Sequence, residues 1–159
     1  MGNIFSASEI LEIGVQIEIN GKDFYETIAA KTKSRAAKEI FVFLAGEEQR
    51  HIKVFEGMLA SIGKSVPAES YPEEYAAYMK ELASEHIFTR KDKGGEIAKA
   101  IKSDKEAVEK GIGFEKDSII FYEGMKKAIP AYDQKPVDGL IEQEKLHLLK
   151  LTELLRVIK

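Results

Sequence analysis

Apolar residues recur at three- and four-residue spacing along four long stretches of this chain, about 6–33, 34–62, 103–129 and 133–158. That spacing puts them on one face of an α-helix, so each stretch predicts an amphipathic helix about 40 Å long. The first stripe runs Leu11, Gly14, Glu18, Gly21, Tyr25, Ile28, and the second Leu44, Glu48, His51, Phe55, Met58, Ile62. The third runs Val108, Ile112, Glu115, Ile119, Tyr122, Ile129, and the fourth Val137, Leu140, Glu144, His147, Leu151, Leu154, Ile158. The four Pro residues are expected outside helix interiors, where a missing N–H does no harm. Pro67 and Pro72 mark a loop, 71–88 reads as a further short helix, and 91–95 as a turn. The expected architecture is therefore all-α and a single domain over 1–159: a four-helix bundle of two hairpins joined by a long crossover, 63–102.

Composition narrows the chemistry. With 44% hydrophobic and 32% charged residues, 159 positions suffice for one substantial core. The net charge is -3, with Lys and Glu interspersed, so no basic footprint for nucleic acid exists. The absence of Cys excludes disulfides, thiolate metal sites, iron-sulfur clusters and a Cys nucleophile, leaving Glu, Asp and His for any metal. No run is long and apolar enough to span a membrane, and no secretory signal opens the chain, so the expected location is cytoplasmic. The opening Met1 to Ser6 fits a loose N-myristoylation pattern. Ser6 with Glu9 reads instead as a helix capping box.

The two hairpins repeat each other. At an offset of 97, Gly14, Glu18, Phe24, Tyr25 and Glu26 fall on Gly111, Glu115, Phe121, Tyr122 and Glu123. At 96, Leu44, Glu48 and His51 fall on Leu140, Glu144 and His147. Each hairpin thus places a Glu and a Glu-x-x-His at one height on either side of a tight turn. All six lie on apolar stripes, where four carboxylates would cost several kcal/mol per uncompensated ion. Two divalent cations would balance them, and Glu with His at i+3 presents both donors on one helix face. Carboxylate with imidazole suits iron or manganese. A single Glu-x-x-His is ordinary; two of them from only three His, inside a repeat, are not. The predicted ligands are Glu18, Glu48, His51, Glu115, Glu144 and His147, holding about two iron ions per chain, with manganese or zinc as alternative occupants. Tyr25 and Tyr122 follow Glu18 and Glu115 on the same faces and are candidates to bond ligand carboxylates. His86 lies outside the repeat and reads as a surface or packing residue.

At Glu18, Glu48-Gln-Arg-His51, Glu115 and Glu144-Lys-Leu-His147 the chain resembles the ferritin-like superfamily, specifically its rubrerythrin-like branch. Leu44 to His51 and Phe114 to Tyr122 carry the resemblance most strongly. It implies that Glu48 and Glu144 bridge two irons, Glu18 and His51 completing one and Glu115 and His147 the other, or with the helix pairs exchanged. It also implies reduction of hydrogen peroxide or dioxygen in oxidative-stress defence. The chain departs from the branch in two respects. It has no four-Cys rubredoxin domain, so an external electron-donor protein is expected, and Ser118 stands where rubrerythrins carry an additional Glu. The alternatives are an iron-binding, ferroxidase or iron-handling protein without cage storage, and a partner-binding bundle whose metal fixes the fold. A homodimer is expected, with Phe41, Phe43 and Val54 as interface candidates.

Overall fold

A computed structural model describes residues 6–62, 73–86, 89–129 and 131–158. Among them are six helices and no strand: α1 (Ala7–Lys31), α2 (Arg35–Ile62), α3 (Glu73–Glu85), α4 (Lys93–Ala100), α5 (Asp104–Met125) and α6 (Ala131–Val157). None of these helices is long and apolar enough to cross a membrane.

Local chemistry sets the boundaries. Ser6 caps α1 reciprocally with Glu9, as the capping box requires. Ser34 Oγ accepts from Ala37 N at the start of α2, so a three-residue turn reverses the chain between α1 and α2. Ser103 does the same for α5 through Glu106 N. The N-myristoylation pattern, Pro67, Pro72 and the outer ends of the expected 71–88 helix lie outside the described residues.

The four long helices pair as expected, α1 along α2 and α5 along α6, with α2 meeting α6 and α1 meeting α5. Phe24, Tyr25, Phe41, Phe55, Phe114, Phe121 and Tyr122 are all fully buried between them. The duplication extends to the packing. A Cβ on Gly14 would sit 3.1 Å from the Phe55 ring, and one on its repeat mate Gly111 would sit 3.2 Å from Leu151, the mate of Phe55. Each glycine admits the large side chain opposite, which lets the helices close around the middle of the bundle.

Four expectations are corrected. Residues 91–95 are not all turn: the turn ends at Asp92, whose φ of 61° is left-handed, and α4 begins at Lys93. Gly94 and Gly95 weaken helix propensity, but packing against α1 overrides it. Asn20 of α1 donates to Arg90 O at 2.5 Å and accepts from Gly94 N at 3.1 Å. Lys31 Nζ satisfies the other end of α4 through the carbonyls of Ala98, Lys99 and Ile101. Second, α5 stops at Met125, not Ile129, and 126–129 form a turn; Pro130 next in sequence disfavours helical backbone before it. Third, α6 starts two residues early, so Pro136 lies inside it. The Tyr132 carbonyl that loses its donor belongs to a residue 63% exposed, outside the packed core. Fourth, Phe41 is no interface residue: it is fully buried, its ring stacked 6.4 Å from Tyr25, whereas Phe43 and Val54 are partly exposed.

Candidate metal centre

Each of the four long helices brings its polar intrusion to the same level. Glu18 comes from α1, Glu48 and His51 from α2, Glu115 from α5, and Glu144 and His147 from α6; none is more than 2% exposed. The two imidazoles lie nearly parallel, 5.5 Å apart with 16° between their planes. His51 Nδ1 is 2.8 Å from Glu144 Oε1 and 3.4 Å from Glu18 Oε2. His147 Nδ1 is 3.3 Å from Glu144 Oε2, 3.6 Å from Glu48 Oε1 and 3.8 Å from Glu115 Oε1. Glu144 therefore turns one oxygen to each histidine. Ligand atoms converge within 4.8 Å in two groups, Glu18, Glu48, His51 and Glu144 in one and Glu48, Glu115, Glu144 and His147 in the other. Glu48 and Glu144 belong to both.

The two tyrosines reach across the bundle. Tyr25 of α1 donates to Glu115 Oε1 on α5 at 2.7 Å, and Tyr122 of α5 donates to Glu18 Oε1 on α1. Burial and the surrounding carboxylates push both phenols well above their ordinary range, so they stay protonated and remain donors. Each fixes one carboxylate oxygen and leaves the other, Glu115 Oε2 or Glu18 Oε2, without a hydrogen bond.

Those unpaired atoms test the fit of the site to a metal. Among the described residues, nine buried side-chain oxygens and nitrogens have no hydrogen-bond partner, and all but Asp133 Oδ2 belong to these six residues. Buried polar atoms are rarely left so. Protons shared within the cluster offset its charge. Burial and the neighbouring Glu144 push Glu48 and Glu115 well above the usual carboxylate range. Burial opposes a charge on each imidazole, yet Glu18 and Glu144 lift His51 to about 11, and Glu115 and Glu144 lift His147 to about 10. Burial also opposes charge on Glu144, but the Glu115 carboxyl and the charged imidazoles of His147 and His51 beside it hold it well below the usual range. An all-oxygen and imidazole donor set of this kind fits hard to intermediate divalent cations.

Two outer residues escaped the reading from sequence. Gln143 Oε1 lies 2.6 Å from His51 Nε2. Glu47, its mate in the repeat, brings an oxygen within 4.8 Å of a nitrogen on both histidines. Their position, one residue ahead of each Glu-x-x-His, was the available signal.

His86 packs outside the cluster. It is 3% exposed, with Nε2 3.2 Å from Ser118 Oγ and its ring edge-on to Phe114 at 5.8 Å. Burial lowers its pKa from 6.5 to about 4, against the opposing pull of Glu144. The unfolded chain takes up a proton near 6.5 while the folded one does not until about 4, so this contribution to stability is full above 6.5 and is lost as the pH falls. The gap between 6.5 and about 4 corresponds to about 3 kcal/mol. In urea titrations across this range, His86→Phe is expected to lose about 3 kcal/mol less than the native chain; parallel losses would refute the assignment.

Comparison with known proteins places this geometry. The family model for rubrerythrin matches residues 9–155. A crystal structure of a Thermotoga maritima protein described as a ferritin-like diiron-carboxylate protein shares 29% identity and a TM-score of 0.69, with 99% of each chain covered. No curated protein matches the chain.

Proposed function

This chain belongs to the rubrerythrin family, and from that premise we propose that it holds a pair of iron ions and reduces hydrogen peroxide or dioxygen with electrons from a separate donor protein. The sharing of Glu48 and Glu144 by both donor groups carries this reading. Two cations sharing these carboxylates would act together on a two-electron oxidant, whereas a purely structural site needs no shared carboxylates.

In this reading Glu18 with His51 serves one ion, Glu115 with His147 the other, and Glu48 and Glu144 lie between. When bound in the ferrous state, the pair would supply the two electrons that peroxide needs. The chain's own part is positional. Tyr122 and Tyr25 hold the outer carboxylates by one oxygen each, and the closed aromatic core keeps bulk water away from the donors. Overall, peroxide takes up two electrons and two protons, its O–O bond breaks, and two waters leave; the external donor then returns two electrons.

The test is anaerobic titration of the iron-loaded, reduced protein with hydrogen peroxide and, separately, dioxygen, followed by turnover with an added reductant. We expect complete oxidation at about one peroxide per iron pair, far faster than for free ferrous iron, and sustained consumption with reductant. Failure with both oxidants would sink the proposal. A second reading, binding and passing on of iron without turnover, is favoured by Ser118, which is fully buried beside His86 and offers no carboxylate. Oxidation once, with no turnover, would select it.

A further inference from the structure

The two halves of the site part at its outer rim. At the repeat offset of 96, Glu47 corresponds to Gln143 and Arg50 to Leu146, so the two hairpins differ beside the ligand histidines. The amide oxygen of Gln143, 2.6 Å from His51 Nε2, can only accept, so Nε2 carries the hydrogen. Nδ1, which faces Glu18 and Glu144, is then the nitrogen left for a cation. On the other side Glu47 stands near both rings, but its Oε1 is taken by Arg50 Nη1 at 2.5 Å. Leu146, in the place of Arg50, exerts no such pull on Gln143.

We infer that this outer layer makes the two metal positions unequal: Gln143 preorganises His51, so the Glu18–His51 position fills first, while Arg50 draws Glu47 away from His147 and leaves the Glu115–His147 position weaker. The inference rests on the di-metal reading above. Its physical basis is that an acceptor on the far nitrogen fixes the tautomer and ring orientation and raises the basicity of the ligating nitrogen, an effect on the order of 10–100-fold in metal affinity. Gln143 and Arg50 act as positioning residues through the histidines. Both are exposed, so either can be replaced without disturbing the core.

The experiment is calorimetric titration of the metal-free full chain with manganese(II). Two binding events at least about 10-fold apart are expected. Glu18→Ala abolishes the tighter and Glu115→Ala the weaker. Gln143→Leu weakens the tighter event by about 10–100-fold and spares the other, Gln143→Glu restores it, and Arg50→Ala tightens the weaker event by releasing Glu47 to His147. Proton and nitrogen-15 spectra of the zinc-loaded protein read the contact directly: the His51 Nε2–H resonance is shifted downfield and protected from exchange with water in the native chain and loses both in Gln143→Leu. Two native events of equal affinity, or a Gln143→Leu variant that weakens both or neither, overturn the inequality while leaving the metal centre standing. A chain that binds no cation overturns the metal-centre reading and this inference with it.

Discussion

Replacing Glu48 and Glu144 together by alanine is expected to abolish metal binding, taking the proposed content of about two ions per chain to essentially none. The size of the effect follows from sharing. Both carboxylates belong to both donor groups, so the double change leaves each half with one Glu and one His, too few donors and too little negative charge for a buried divalent ion. Stability separates this from simple unfolding. A cation at 100 times its dissociation constant stabilises the fold by about 2.7 kcal/mol per site, and the native chain should show that gain on loading. The variant should show none. Without metal, Glu48→Gln, which keeps the volume of a carboxyl that burial and Glu144 already hold protonated, should be about as stable as the native chain. Elemental analysis and melting curves with and without iron or manganese measure both. Retention of metal by the alanine variant would remove the basis for the site.

The parts legible from sequence are those dictated by periodicity. Glu18, Glu48, His51, Glu115, Glu144 and His147 lie on apolar stripes, and a helix of regular pitch carries such a stripe into the core wherever the helix packs. The crossed bonds of Tyr25 and Tyr122 were half legible. The stripe placed the phenols at the right level, but only the packing of α1 beside α5 shows that each serves the carboxylate of the opposite helix. Contacts without a period were not legible. Gln143 stands on the exposed side of α6 and reaches His51 of α2 only because the two helices are adjacent. Phe41 was an interface candidate with Phe43 and Val54, yet of the adjacent Phe41, Val42 and Phe43 it alone turns inward. Helix α4 was hidden by its own glycines, since its formation depends on partners seventy or so positions earlier.

That dependence gives the second large effect, in which two adjacent glycines respond with opposite sign. A Cβ on Gly94 would lie 1.9 Å from the backbone oxygen of Asn20, and backbone in the middle of α1 cannot step aside as a flexible side chain could. Gly94→Ala must therefore push α4 off α1. The displaced helix also breaks two hydrogen bonds of the fully buried Asn20 side chain. Overpacking at about 1–3 kcal/mol and two lost buried hydrogen bonds at about 1 kcal/mol each, less about 1 kcal/mol of improved helix propensity, give a loss of about 3 kcal/mol. A Cβ on Gly95 meets nothing within 4 Å, so Gly95→Ala keeps only the propensity gain and stabilises by about 0.5–1 kcal/mol. Urea denaturation of the two variants reads the difference directly, and shifts in the same direction would mean that α4 does not seat on α1 as described. Because Asn20 is two residues from Glu18, the displacement should also weaken metal binding in Gly94→Ala and leave it unchanged in Gly95→Ala. The short crossover helix is thereby assigned a mechanical role, holding α1 and its ligand in register with the other three helices of the bundle.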